Sequence, residues 1–94
     1  MSVVLVSEVQ LYLSEAQSLK HKRAVLSSLK ERLHNRYNIS VAEVAHNDLW
    51  QRSTLALAIV SNAGDHADSV IDKAIRFIES DSRVQVIDFL VEER

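Results

Sequence analysis

Two groups of side chains in this sequence have types and spacings suited to chemistry. The first is Ser18-Leu19-Lys20-His21-Lys22-Arg23, which opens an amphipathic segment and puts three Lys/Arg and one His near a helix start. A helix N-terminus carries partial positive charge and unpaired N–H groups, so each exposed cation there costs on the order of 0.3–1 kcal/mol. A phosphate held by the backbone N–H groups of residues 19–21 with Lys20, Lys22 and Arg23 would account for the pattern. Plain solvation with the stems laid over apolar surface would also account for it, as would pairing with acids such as Glu43 or Asp48. The second group is Asp48-Leu49-Trp50-Gln51-Arg52, where the only tryptophan stands two residues before an arginine. Trp50 flanked by Arg52 can stack on a base or anchor a partner, or it can lid a core or join a subunit contact. Packing or partner contact is the expectation for this pair.

Catalytic chemistry has less support. There is no cysteine nucleophile, and Gly64 is the only glycine, so no Gly-rich phosphate loop exists. His46 and Asp48 are two apart, as ligands on one side of a strand would be, but no third ligand is evident. No catalytic residue, metal site or cofactor is expected, and the leaning is toward a protein without enzymatic activity.

The 94 residues contain no proline, no low-complexity stretch and no linker, which points to a single domain spanning 1–94. At 47% hydrophobic residues the chain can build a core, and without cysteine it must do so by packing or with a partner subunit. The net charge of −2 hides an asymmetry. Residues 18–37 hold Lys20, Lys22, Arg23, Lys30, Arg32 and Arg36 against Glu31 alone, so the remainder is acidic. A basic helix on an acidic body can steer toward polyanions locally without the bulk charge of a nucleic-acid binder. The N-terminal residues lack the features of a signal peptide, and the longest apolar run, Leu55 to Val60, falls far short of the roughly 20 residues a membrane span needs. A cytoplasmic protein with no membrane partner is the expectation.

The elements that must position these groups follow from periodicity. Residues 3–13 alternate, with Val3, Leu5, Val9, Leu11 and Leu13 on one side and Val4, Val6, Glu8, Gln10 and Tyr12 on the other, which predicts a strand. Residues 18–37 have helical spacing, with Ser18 as N-cap and Leu19, Leu26, Leu29 and Leu33 on one stripe. At 100° per residue Arg23, Lys30 and His34 share one flank of that stripe, Arg32 and Arg36 line the other, and Lys22 projects within it. Residues 39–45 and 52–61 predict two more strands around a turn at 46–51. A second helix follows, with Asp65 as N-cap and Asp68 three residues on, and residues 84–91 predict the last strand. The order β-α-β-β-α-β is that of an α+β ferredoxin-like sandwich, a four-stranded antiparallel sheet with both helices on one face and the first and third strands central.

In such a fold the helix-free face should be polar. Here it would carry Val4 and Val6 beside Ala56, Ala58 and Val60, which predicts a cover, most simply a second copy of the chain in a dimer. Base stacking on that face in the manner of RNA-recognition motifs is poorly supported, because the third strand has no aromatic residue and the first has only Tyr12. RNA contact, if made, falls to the first helix, through Lys20, Lys22, Arg23, Lys30 and His34, and to the hairpin.

The strings Ala16-Gln17-Ser18-Leu19-Lys20-His21-Lys22-Arg23, Val41-Ala42-Glu43-Val44 and Asp48-Leu49-Trp50-Gln51-Arg52 resemble the YlxP-like family, a bacterial family of unknown function, over nearly the whole chain. The resemblance implies a ferredoxin-like fold. It also implies a gene neighbourhood near ribosome-binding factor A and translation initiation factors, which makes RNA or a ribosomal surface the leading partner. It supplies no catalytic residue. A protein-interaction or regulatory module using the apolar sheet face and Trp50 is the alternative. Acylphosphatases share the fold and bind phosphate in the first strand-to-helix loop, where Arg23 and Asn47 could be imagined in their roles. The loop Ser14-Glu15-Ala16-Gln17 lacks the glycines such a site uses, and Glu15 would repel the anion.

Overall fold

Alternating side chains in β1 (Val3–Tyr12) send Leu5, Val9 and Leu11 to one face of the sheet, and β3 (Arg52–Ser61) sends Leu55, Leu57 and Ile59 to the same face. The computed structural model describes residues 1–94, and the two strands lie side by side at the centre of a four-stranded antiparallel sheet. β2 (Ser40–Ala45) closes the edge next to β3, and β4 (Gln85–Glu93) closes the edge next to β1. The spatial order is β2-β3-β1-β4, with α1 (Leu19–Arg36) and α2 (Gly64–Glu79) as the two crossovers. This is the ferredoxin-like α+β sandwich expected from the element order.

Both helices bury their stripes on the same sheet face. α1 contributes Val25, Leu26, Leu29 and Leu33, and α2 contributes Ala67, Ile71, Ala74, Ile75 and Ile78, to one core with the inward residues of β1 and β3. Small residues at Ala67 and Ala74 let α2 approach the sheet closely. Fully burying a Leu or Ile side chain is worth about 1.5–3 kcal/mol, so this shared core, not local propensity, holds the helices.

Helix starts differ from expectation in one case. Ser18 caps α1 as expected, its Oγ accepting from the His21 N–H at 3.0 Å. α2 instead begins at Gly64 with Ala63 in the cap position and no side-chain cap. Asp65 is already inside the helix, where its Oδ1 accepts from the His66 N–H, and its charge still opposes the macrodipole favourably. The turn is set one step earlier, by the Ser61 Oγ accepting from the Ala63 N–H at 3.1 Å, which draws the chain into helix before Asp65 can cap it.

The helix-free face carries Val4, Val6, Ala56 and Ala58 half-buried and Val60 exposed. Val4 stands opposite Val60 and Val6 opposite Ala58, so these side chains form one apolar patch on the two central strands. No helix is long and apolar enough to cross a membrane.

Candidate nucleic-acid interface

At the end of the sheet where β1 runs into α1, the β2–β3 hairpin folds back against the first turns of α1. The link is Lys22, whose side chain has no exposed surface. Its Nζ donates to Glu43 Oε2 at 2.9 Å and to the backbone carbonyls of His46 at 2.9 Å, Asn47 at 3.2 Å and Arg52 at 3.3 Å. The Ser53 hydroxyl donates to the same Glu43 oxygen at 2.8 Å. A buried ammonium must be paired and hydrogen-bonded to be tolerated, and here both limbs of the hairpin supply the acceptors. His46 takes a left-handed backbone, φ 63°, that lets its carbonyl accept from Lys22 and from the Leu49 N–H at 3.0 Å. On the other side the Leu13 N–H donates to the Gln51 carbonyl at 2.9 Å, and the Gln51 side chain donates to the carbonyls of Ser14 and Ala16.

This corrects the placement of Lys22 among anion-binding residues. Its position within the apolar stripe, evident from spacing, turns the ammonium inward, and its donors are engaged by four acceptors inside the protein. Of the two acids considered as partners for the basic turn, Glu43 is the one that pairs.

The other cations of α1 divide by flank. Arg32 and Arg36 face α2, with their guanidinium carbons 5.0 and 4.8 Å from the Phe77 ring centroid, and Arg32 also reaches Asp81 at 3.3 Å. The opposite flank carries Arg23, Lys30 and His34, with Lys20 beside them at the helix start. Lys20, Arg23 and His34 are exposed and Lys30 is half-buried. None of the four has a carboxylate within 4.0 Å. Along the helix, Lys20 to His34 spans about 21 Å at 1.5 Å per residue. No acidic side chain occupies the first turn of α1.

The hairpin tip is open. Trp50 is 53% exposed and Leu49 is exposed with it, so Trp50 does not lid the core. Asp48, Leu49, Trp50, Gln51 and Arg52 line a shallow cleft of about 390 Å³. Arg52 pairs across the sheet with Tyr12, and its Nε is buried without a hydrogen-bond partner.

Sequence reasoning missed a second buried charge. The Asp81 carboxylate, 4% exposed, accepts from Arg83 Nε at 2.9 Å, Nη2 at 2.6 Å and backbone N–H at 2.9 Å, and from Arg32 Nη1 at 3.3 Å. Hydrogen bonding from Arg83, outweighing the desolvation of burial, holds the Asp81 carboxyl below the usual value, and the same pair raises Arg83. The Asp-x-Arg spacing after a helix was the available signal.

Residues 4–91 match the model of a family described as a protein of unknown function, DUF503. The chain belongs to the DUF503 family. The uncharacterized protein YlxP of Bacillus subtilis (strain 168) is 34% identical over 74 residues, covering 79% of this chain and 80% of that protein. The family match therefore runs through α1, the hairpin and the sheet together. Among solved structures, the de novo designed protein Foldit4 aligns over 100% of this chain and 97% of its own, with a TM-score of 0.57 and 12% identity. That likeness concerns the fold alone.

Proposed function

We propose that this protein is a non-enzymatic, self-associating module that contacts RNA through the outward flank of α1. The observation that carries the reading is the unpaired state of Lys20, Arg23, Lys30 and His34. Cations at a helix start oppose the macrodipole, and the protein satisfies only Lys22 internally. Lys20, Arg23 and Lys30 stand without carboxylate partners on the side of α1 away from α2. A backbone of regularly spaced phosphates would complement such a row. The gene neighbourhood implied by the family resemblance, which pointed to RNA or a ribosomal surface, is consistent with this reading.

The test is RNA affinity across a salt series. Three phosphate contacts give a slope of log affinity against log salt of about −2 for single strands. Lys20→Glu with Arg23→Glu removes most of that slope and the low-salt affinity, with unchanged circular dichroism. Salt-independent binding, or no loss in the variant, contradicts the reading.

Self-association rests on the apolar patch of the helix-free face. Ala58→Arg puts a charge at its centre and shifts a sizing-column dimer to monomer; an unchanged size rules that face out.

A further inference from the structure

The hairpin cleft has features that phosphate contact does not use. Trp50 and Leu49 are large apolar side chains left in solvent at a tip that is otherwise firmly held. Lys22 bonds carbonyls on both limbs, and Gln51 ties the tip to the β1–α1 loop. A ring exposed on a rigid mount loses little conformational entropy when something packs on it. Beside it, Arg52 is half-buried and its guanidinium has no carboxylate within 4.0 Å. An aromatic face and a guanidinium without a carboxylate partner line one open cleft, as a nucleotide site requires: a π-surface for the base to stack on and a cation for its edge or its phosphate. Lys22 also brings the first turn of α1 against the hairpin, so Lys20 and Arg23, within two residues of it in sequence, lie at the end of α1 nearest the cleft.

We infer that the cleft of Trp50 and Arg52 receives one unpaired base of a single-stranded RNA whose phosphates follow the outward flank of α1. The assignment rests on the RNA reading of α1 and adds the strandedness of the ligand. A base inside a duplex is stacked on its neighbours and cannot offer its face to Trp50.

Trp50 is the only tryptophan, so its emission reports on the cleft directly. The experiment titrates the full chain at low salt with a 12-nucleotide oligouridylate and, separately, with a 12-base-pair RNA duplex. The single strand is expected to quench Trp50 emission and to bind more tightly than the duplex, which leaves emission unchanged. Trp50→Ala is expected to weaken the single strand on the order of 10-fold while leaving duplex affinity as it was, with Trp50→Phe retaining most of the binding. Equal binding of both RNAs without quenching overturns the base site and leaves the α1 reading standing. Binding of neither RNA overturns both. An emission shift that depends on protein concentration alone, with no further change on adding RNA, overturns the base site in favour of a contact between copies.

Discussion

Two charges are buried in this molecule, and α1 touches both. Lys22 is fully enclosed and gathers acceptors from residues 21 to 30 positions away in sequence, locking the β2–β3 hairpin. Asp81 is nearly enclosed, yet its strongest partner, Arg83, lies two residues on, and its arginines are 40% and 51% exposed. The first is a tertiary lock whose ammonium has no access to water, with Glu43 only 17% exposed. The second is a local loop clamp whose far side is solvated, with Arg32 and the Arg83-to-Ser28 contact tying it to α1. Buried pairs are expensive to break and solvated pairs are not, so the two should respond very differently to the same kind of substitution.

The largest effect is expected at Lys22. Lys22→Met strands Glu43 and three carbonyls and should lower stability by about 3–5 kcal/mol, read as a fall in urea midpoint. Adding Glu43→Leu should recover part of that loss, because one stranded charge is removed while the carbonyls stay unpaired. A Lys22→Met variant as stable as wild type would dissolve the contrast between the two sites.

Asp81→Asn should cost about 1–2 kcal/mol at neutral pH, since solvent can replace part of what the arginines lose. The Asp81 contribution also depends on pH. The folded carboxyl titrates below 3.8, its ordinary value. Its stabilisation is therefore complete above that value and is lost as pH falls through the lower folded one. Acid titration of wild type and Asp81→Asn should converge at low pH. Smaller still, Arg36→Ala should cost about 0.5–1 kcal/mol through its contact with the Phe77 ring, measured by thermal unfolding.

The fold was legible because period-2 and period-3.6 patterns are dense here and each element is capped or broken by polar residues. Ser18 could be assigned as a cap since nothing earlier in the loop competes for the turn, whereas Ser61 pre-empts Asp65. The inward direction of Lys22 was legible in its place on the stripe. Its partners were only half so, because a carbonyl acceptor leaves no mark on residue type and Glu43 was one of two candidate acids. The Asp81 clamp depends on loop geometry, and the enclosed Nε of Arg52 on side-chain packing at the start of β3, neither of which periodicity encodes.

Lys20 and Arg23 complete the comparison, as neighbours of Lys22 whose charges face outward and meet no internal partner. If they are kept for a ligand, they are kept at a cost to α1. The most direct measurement takes the Lys20→Glu/Arg23→Glu variant through both urea unfolding and RNA binding. The variant is expected to be more stable than wild type, by up to about 1 kcal/mol from its improved match to the helix dipole, and to have lost salt-sensitive RNA affinity. A variant that binds RNA as wild type does would contradict it, whatever happens to its stability.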